Sequence, residues 1–237
     1  MNLKRGEHPK VTLHILQTVD GHIDGDFFSL PAVRALAGEY GRIRDELGWD
    51  AIVYGATTAH ELFAHENLQL NRCDTLFEGD FIPEDSSRWI AVIDPEGTLG
   101  YASGICARSG MEGARFIELL CEETNPEYRA YLHRIGVGYL ICGRDSFDAK
   151  LACEKLARLC GVEHMLLQGG GVADGTFAVA DCIDELSLVL VPAAELSEDA
   201  IPVFNTVRAM NTKPLDLELI GAEQLGHSGI WLRYAVR

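Results

Sequence analysis

The sequence predicts an α/β protein with three layers, helices covering both faces of a mostly parallel sheet that ends in an antiparallel strand pair. Three observations predict it. Short apolar runs alternate with amphipathic stretches through most of the chain, the pattern of strands joined by crossover helices. The stretch from Gly161 to Pro192 reads as a strand, a run of glycines, a short helix and a second strand. The last two apolar runs, Leu215 to Ile220 and Ile230 to Val236, flank a Gly-rich turn at Gly226 to Gly229, as in a hairpin.

The elements follow in order. Val11 to Gln17 (VTLHILQ) reads as a first strand, and Thr18-Val19-Asp20-Gly21 turns away from it. Ser29 is an expected N-cap, with Pro31 in the first turn. Val33, Leu36, Ala37, Tyr40 and Leu47 then recur at helical spacing up to Gly48. Asp50 to Tyr54 is a buried strand. Gly55-Ala56-Thr57-Thr58 follows, opening a helix to about Phe63. Backbone N–H groups and Thr hydroxyls at a helix start suit an anion, although a capping role for Thr57 has the same appearance.

Residues 66 to 87 have no period and read as a surface connection. Arg88 to Ile93 and Arg115 to Cys121 read as strands on either side of an irregular, Gly-rich segment at 98–114. Arg108 and Ser109 in that segment read as a solvated loop rather than a phosphate contact. Asn125-Pro126 starts a helix that Gly136 ends. Val137 to Cys142 is a strand closed by Gly143, and Asp148 caps a helix to Cys160. His164 to Gln168 is the strand that enters Gly169-Gly170-Gly171, and the short helix spans about Val172 to Cys182. Leu186 to Val191, closed by Pro192, is the next strand. No linker or internal repeat divides residues 1–237, so a single domain is expected.

Composition narrows the function. The 237 residues carry 36 acidic against 20 basic side chains, a net charge of −16, which disfavours nucleic acid and anionic membrane surfaces as partners. No apolar run approaches about 18 residues, and the first ten residues hold no signal-peptide core, so a cytoplasmic protein is expected. The seven cysteines (73, 106, 121, 142, 153, 160 and 182) include no C-x-x-C pair and read as buried free thiols. His60-Glu61-Leu62-Phe63-Ala64-His65 is not a zinc motif. Its second His lies five positions on, about 140° round a helix, and no metal site is expected.

The glycine run after a strand suits close approach of backbone N–H groups to a phosphate, reinforced by a helix N-terminus. It is neither the dinucleotide fingerprint, since Asp174 stands where the last glycine belongs, nor a P-loop. Four motifs together, Thr18-to-Gly21, Gly55-to-Thr58, Gly169-to-Gly171 and Asp184-Glu185-Leu186, resemble the reductase domain of the riboflavin-biosynthesis deaminase–reductases over about Val11 to Arg237. No H-x-E with P-C-x-x-C occurs, so the zinc deaminase half of those proteins is missing.

The resemblance implies a dihydrofolate-reductase-like fold and hydride transfer from NADPH to a ribosylaminopyrimidine phosphate. It implies cofactor contacts at Leu16, Gly55, Ala56, Thr57, Thr58, Gly143, Gly169, Gly170, Gly171 and Val172. It implies a substrate side formed by His14, Asp20, Ser29 and Gln168, with Asp20 the catalytic candidate, and a homodimer. Two departures stand out. His14 occupies a lysine position, and Gln168 an acidic one, so the riboflavin-pathway pyrimidine is expected to be a poor substrate. Two alternatives remain open: a dihydrofolate reductase, for which only Asp26 or Glu39 offers the needed carboxylate, and a non-catalytic NADPH- or nucleotide-binding module.

Overall fold

A computed structural model describes residues 8–72, 77–83, 86–205 and 212–237. Cys73 and parts of the 66–87 connection and of the loop before Pro214 lie outside these residues. Among the described residues are nine strands and five α-helices, in the α/β class expected. The chain divides into two compact units. An inserted unit holds Asp50–Glu163, and a terminal unit holds Lys10–Trp49 and His164–Arg237. The two crossings, at 49/50 and at 163/164, carry no run of Gly, Pro or Ser, which is why composition marks no boundary there.

The terminal unit is built on β1 (Lys10–Gln17), whose central residues are buried on both faces. That double burial matches an apolar run without clean alternation, the signature of a strand inside a parallel sheet. β1 lies parallel between β6 (His164–Leu167) and β7 (Glu185–Leu190). β7 pairs antiparallel with β9 (Ile230–Val236), which pairs antiparallel with β8 (Leu217–Gln224), the order being β6-β1-β7-β9-β8. β8 starts later and runs further than its sequence suggests, with an irregularity between Leu219 and Gly221.

Helix α1 (Pro31–Leu47) buries Val33, Leu36 and Ile43 in a cluster with Leu16, Val189 and Trp231. Full burial of such a side chain stabilises the fold by roughly 1.5–3 kcal/mol. Its N-cap is Leu30 rather than Ser29. Pro31 at the first helical position holds the preceding residue extended, and Leu30 has φ −71° and ψ 135°. Ser29 instead ends a 3-10 turn, Asp26–Ser29.

The inserted unit holds a four-stranded, all-parallel sheet in the order β5-β4-β3-β2. Its strands are β2 (Ala51–Gly55), β3 (Trp89–Ile93), β4 (Arg115–Leu120) and β5 (Gly138–Ile141). Its helices are α2 (Ala56–Leu62), α3 (Pro126–Ile135) and α4 (Ala149–Cys160). The caps read from sequence are real. Asn125 and Asp148 accept from Glu127 N and Leu151 N, and Gly136 and Gly161 end their helices in the left-handed conformation. In the terminal unit, α5 (Gly171–Val179) starts one residue earlier than expected and stops three short of Cys182.

Candidate functional site

The glycine loop closes β6 and opens α5. Gly170 is the N-cap, with φ +85°, a conformation that favours glycine, and no side chain caps the helix. No side chain among the described residues caps the first N–H groups of α5, which lie at the positive end of the helix dipole. Gly171 has a different reason to be glycine. A Cβ there would stand 2.3 Å from the carbonyl oxygen of Pro202, and one at Gly175 would stand 2.7 Å from that of Asn205. The segment 201–205 packs backbone to backbone on this helix, and Asn205 N donates to Gly171 O at 2.8 Å. Val172, in the first turn, is 49% exposed.

Asp174 sits in that first turn, fully buried, and neither carboxylate oxygen makes a hydrogen bond of ordinary geometry among the described residues. Burial pushes its pKa well above the ordinary carboxylate range, against a smaller opposing effect of the Gly169 N–H. Burial thus disfavours its charged form beside the loop.

Gln168, the last residue before the glycines, belongs to a buried chain of hydrogen bonds. The Gln168 amide N–H donates to Tyr40 Oη at 2.8 Å, and the Tyr40 hydroxyl donates to the His14 carbonyl at 2.9 Å. The rings of His14 and Tyr40 stack at 4.3 Å, inclined by 10°. His14 Nε2 lies 3.0 Å from Tyr40 O, and Nδ1 lies 3.0 Å from Ser187 Oγ. Trp231 Nε1 donates to that same Ser187 Oγ at 2.8 Å.

Carbonyl oxygens, which only accept, lie beside both ring nitrogens; a neutral ring with its proton on Nε2 bonds Tyr40 O at 3.0 Å and forgoes the longer contact of Nδ1 to Ser187 O at 3.3 Å. Nδ1 then accepts from Ser187, whose oxygen accepts from Trp231. Every group is satisfied with a neutral imidazole, and burial depresses the His14 pKa from 6.5 to about 4. His14 thus faces its own protein at both ring nitrogens, and it offers no cation in place of the lysine.

Asp20 pins two loops together. Its carboxylate accepts from the Thr18 hydroxyl at 2.5 Å and from the backbone N–H groups of Glu195 and Leu196 at 3.0 and 3.2 Å. Backbone bonds from Val19 to Ala193, from Ile23 to Ile201 and from Val203 to Gly21 continue the same seam. The hydrogen bonds, that of Thr18 first, hold the Asp20 carboxyl far below its ordinary range. It stays ionised at neutral pH and has no proton to give. Leu16 is buried in the core cluster, which leaves only its backbone for a ligand. Ser29 is exposed.

In the inserted unit, α2 begins at Gly55 without a side-chain cap, so Thr57 is not the cap, and Ala56, Thr57 and Thr58 form its first turn. Gly143 has φ +138°, and a Cβ there would meet Ser146 O at 1.9 Å, so a tight turn already requires its glycine. His65 lies past the end of α2 and meets the His60 ring edge-on at 6.4 Å.

Sequence reasoning missed one buried cluster here. Glu118 on β4 accepts from the Tyr101 hydroxyl, and Tyr131 Oη accepts from Tyr101 N and donates to Tyr101 O, at 2.8 and 3.1 Å. Burial, then the nearby Asp94, raises the Glu118 pKa well above its ordinary value. The alternation of β4 carried the signal. Phe116, Glu118 and Leu120 share a face, and a residue between two core side chains is itself in the core. A cleft of about 380 Å³ lined by Phe63, Tyr101, Arg108 and Phe116 lies at the end of α2 away from Thr57 and contains none of the expected site residues.

No family model and no curated protein matches the chain. Solved structures do. A pyrimidine reductase-like protein of Corynebacterium diphtheriae is 15% identical with a TM-score of 0.70, over 100% of this chain and 95% of its own. The riboflavin biosynthesis reductase of Saccharomyces cerevisiae is 14% identical with a TM-score of 0.61, over 100% and 93%. RibD of Acinetobacter baumannii is 19% identical with a TM-score of 0.65. That match takes in 98% of this chain but 58% of RibD, so the chain spans little more than half of that protein. The likeness at these identities is one of fold, and the chain is built on the α/β fold of the riboflavin-biosynthesis pyrimidine reductases.

Proposed function

We propose that the chain is an NADPH-dependent reductase that delivers hydride to a ribosylaminopyrimidine phosphate or a related small heterocycle or carbonyl. The observation that carries the reading is the start of α5. An uncapped helix N-terminus follows a buried strand, in a chain whose fold matches pyrimidine reductases along nearly its whole length. The residues fit the cofactor. A helix start without a side-chain cap suits a pyrophosphate, and burial disfavours the charged form of Asp174 that would repel one. In a protein of net charge −16, such local positive potential is what an anionic cofactor needs.

NADPH when bound supplies the hydride from its nicotinamide ring. On this reading Gly169, Gly170 and Val172 hold its phosphates. Gly55, Ala56, Thr57 and Thr58 form a second contact, with Leu16 and Gly143 offering backbone only. Gly171 serves the packing of 201–205. Asp20 positions the loop beside the substrate, and Gln168, with Ser29, faces the substrate side. His14 acts through Tyr40. The reading brings with it a cytoplasmic homodimer and a single reductase-like domain over residues 1–237.

A dihydrofolate reductase is disfavoured by specific residues. Asp26 is exposed, and Glu39 pairs with Arg42 at 2.9 Å on the surface of α1, so neither supplies a buried carboxylate. A non-catalytic nucleotide-binding module shares the loop and differs only in turnover.

The test follows NADPH and NADH oxidation with the pyrimidine 5-amino-6-(5-phosphoribosylamino)uracil, a pterin panel and small carbonyls. The expected outcome is turnover that prefers NADPH, with the pyrimidine slower than the usual range of about 1–10³ per second. NADPH binding without turnover of any compound identifies the module instead.

A further inference from the structure

The cleft of about 380 Å³ at the end of α2 away from Thr57 takes no part in the proposed reduction, yet it has the size of a small-molecule pocket. Two stretches of the inserted unit build it, the end of α2 and the segment 98–114. That segment is tied down by its backbone. Cys106 N donates to Ala114 O at 2.8 Å, Gly113 N to Cys106 O at 3.0 Å, and Phe116 N to Gly104 O at 3.0 Å. Arg108 is exposed, as its loop position suggests, but it is held in place. Its guanidinium carbon stands 5.8 Å from the centre of the Phe63 ring.

The walls are aromatic and apolar. The Phe116 ring meets that of Phe63 at 5.4 Å, inclined by 61°, and that of Tyr101 at 5.0 Å, inclined by 40°. The Tyr101 hydroxyl is already donated to the buried Glu118, so Tyr101 offers the cleft its ring. Burial raises the pKa of the Cys106 thiol, which keeps it a neutral, apolar part of the lining. Ser103 Oγ donates to Ile105 O at 3.0 Å. Among the described residues Arg108 is the one charged side chain that lines the cleft. No carboxylate and no other acceptor among them engages its guanidinium, so the N–H groups stay available while Phe63 holds the cation.

We propose that this cleft is a second binding site, separate from the glycine loop, for a small aromatic carboxylate whose ring lies among Phe63, Tyr101 and Phe116 and whose carboxylate pairs with Arg108. One guanidinium matches one negative charge through its planar fork. A phosphate dianion would need a second cation, and the lining holds none. A neutral ring leaves the guanidinium unpaired, and an aliphatic acid forgoes the ring-to-ring contacts. In a chain of net charge −16 an anion binds where a cation is fixed locally, and Arg108 is fixed by its ring and its tethered segment. The site does not depend on NADPH binding at α5.

The test is calorimetric titration of the full chain with benzoate, beside benzamide, cyclohexanecarboxylate and acetate. Benzoate is expected to fill one site per chain, with saturation below about 10 mM. Benzamide, which lacks the charge, and acetate, which lacks the ring, should each bind roughly tenfold more weakly. Cyclohexanecarboxylate keeps size and charge without an aromatic face and should bind roughly fivefold more weakly. Arg108→Gln changes an exposed side chain and leaves the walls standing. It should weaken benzoate roughly tenfold and alter benzamide less than about twofold. Phe63→Leu should remove the advantage of benzoate over cyclohexanecarboxylate.

Benzoate that fails to saturate, that binds Arg108→Gln as well as wild type, or that binds no better than acetate overturns the proposal. Val172→Asp separates this site from the start of α5. Benzoate affinity there is expected to stay within about twofold of wild type, because the added carboxylate is remote from Arg108. A loss in Val172→Asp as large as in Arg108→Gln places the anion at α5 and overturns the proposal. So does sedimentation in which Arg108→Gln splits a dimer, since the cleft is then a contact between copies of the chain.

Discussion

Burial keeps His14 neutral through the physiological range, and acid should expose the consequence. Its folded pKa, about 4, lies below the ordinary 6.5, so the unfolded chain takes up a proton first as pH falls. The stability it secures is therefore complete above pH 6.5 and lost on the way down to about pH 4. About 1.4 kcal/mol per pKa unit gives a total of about 3 kcal/mol. A neutral substitute, His14→Gln, should flatten this acid limb in denaturant titrations at a series of pH values. An unchanged limb removes His14 as its cause. The same burial bears on substrate choice. Gln168 gives an amide N–H to Tyr40, and the neutral His14 contributes no charge. Residue roles were only partly legible. The sequence marks His14, Asp20 and Gln168 as notable. Their partners Tyr40, Ser187 and Glu195 are between 26 and 175 residues away, and no local pattern encodes such contacts.

Elements were easier to read, because each is a local apolar pattern closed by a residue with a conformational preference. Asn125, Asp148, Gly136 and Gly161 stand where the caps and helix ends of α3 and α4 need them. Ser29 misleads because a good capping side chain competes with Pro31, and the proline's demand on Leu30 wins. In the same way α5 begins at Gly171 rather than Val172. Asp174 is the element-scale surprise, because an acidic residue near a helix start ordinarily reads as a favourable surface charge. With its pKa raised by burial, the folded state holds the proton more tightly than the unfolded chain does. Its contribution is greatest below the unfolded pKa of about 4 and declines as pH rises toward the folded value. Asp174→Asn removes that decline. The variant should gain stability over wild type as pH rises from 4 to 8, by at most about 1.4 kcal/mol per pH unit, the limiting linkage slope. A difference independent of pH in paired thermal melts means that Asp174 does not titrate as its burial requires.

At the scale of the molecule, the class and the strand–glycine–helix–strand unit were legible because strand burial and glycine punctuation are written locally. The division into an inserted and a terminal unit was not, since it depends on which strands pair over long sequence separations. Among the described residues no helix is long and apolar enough to cross a membrane. The central claim is that the first turn of α5 receives the phosphates of NADPH. A substitution at Gly170 does not test it cleanly, because φ is +85° there and any side chain strains the fold with or without ligand. Val172 does, since it is 49% exposed in that first turn, and Val172→Asp adds a carboxylate that favours the helix while opposing phosphate. The measurement is thermal unfolding of wild type and Val172→Asp, each with and without NADPH at about 100 times the wild-type dissociation constant. Wild type should gain about 2.7 kcal/mol from the cofactor. The variant should melt without cofactor at or above the wild-type temperature and show no NADPH shift. A variant that is stabilised by NADPH as fully as wild type contradicts the account, because the cofactor phosphates then lie elsewhere.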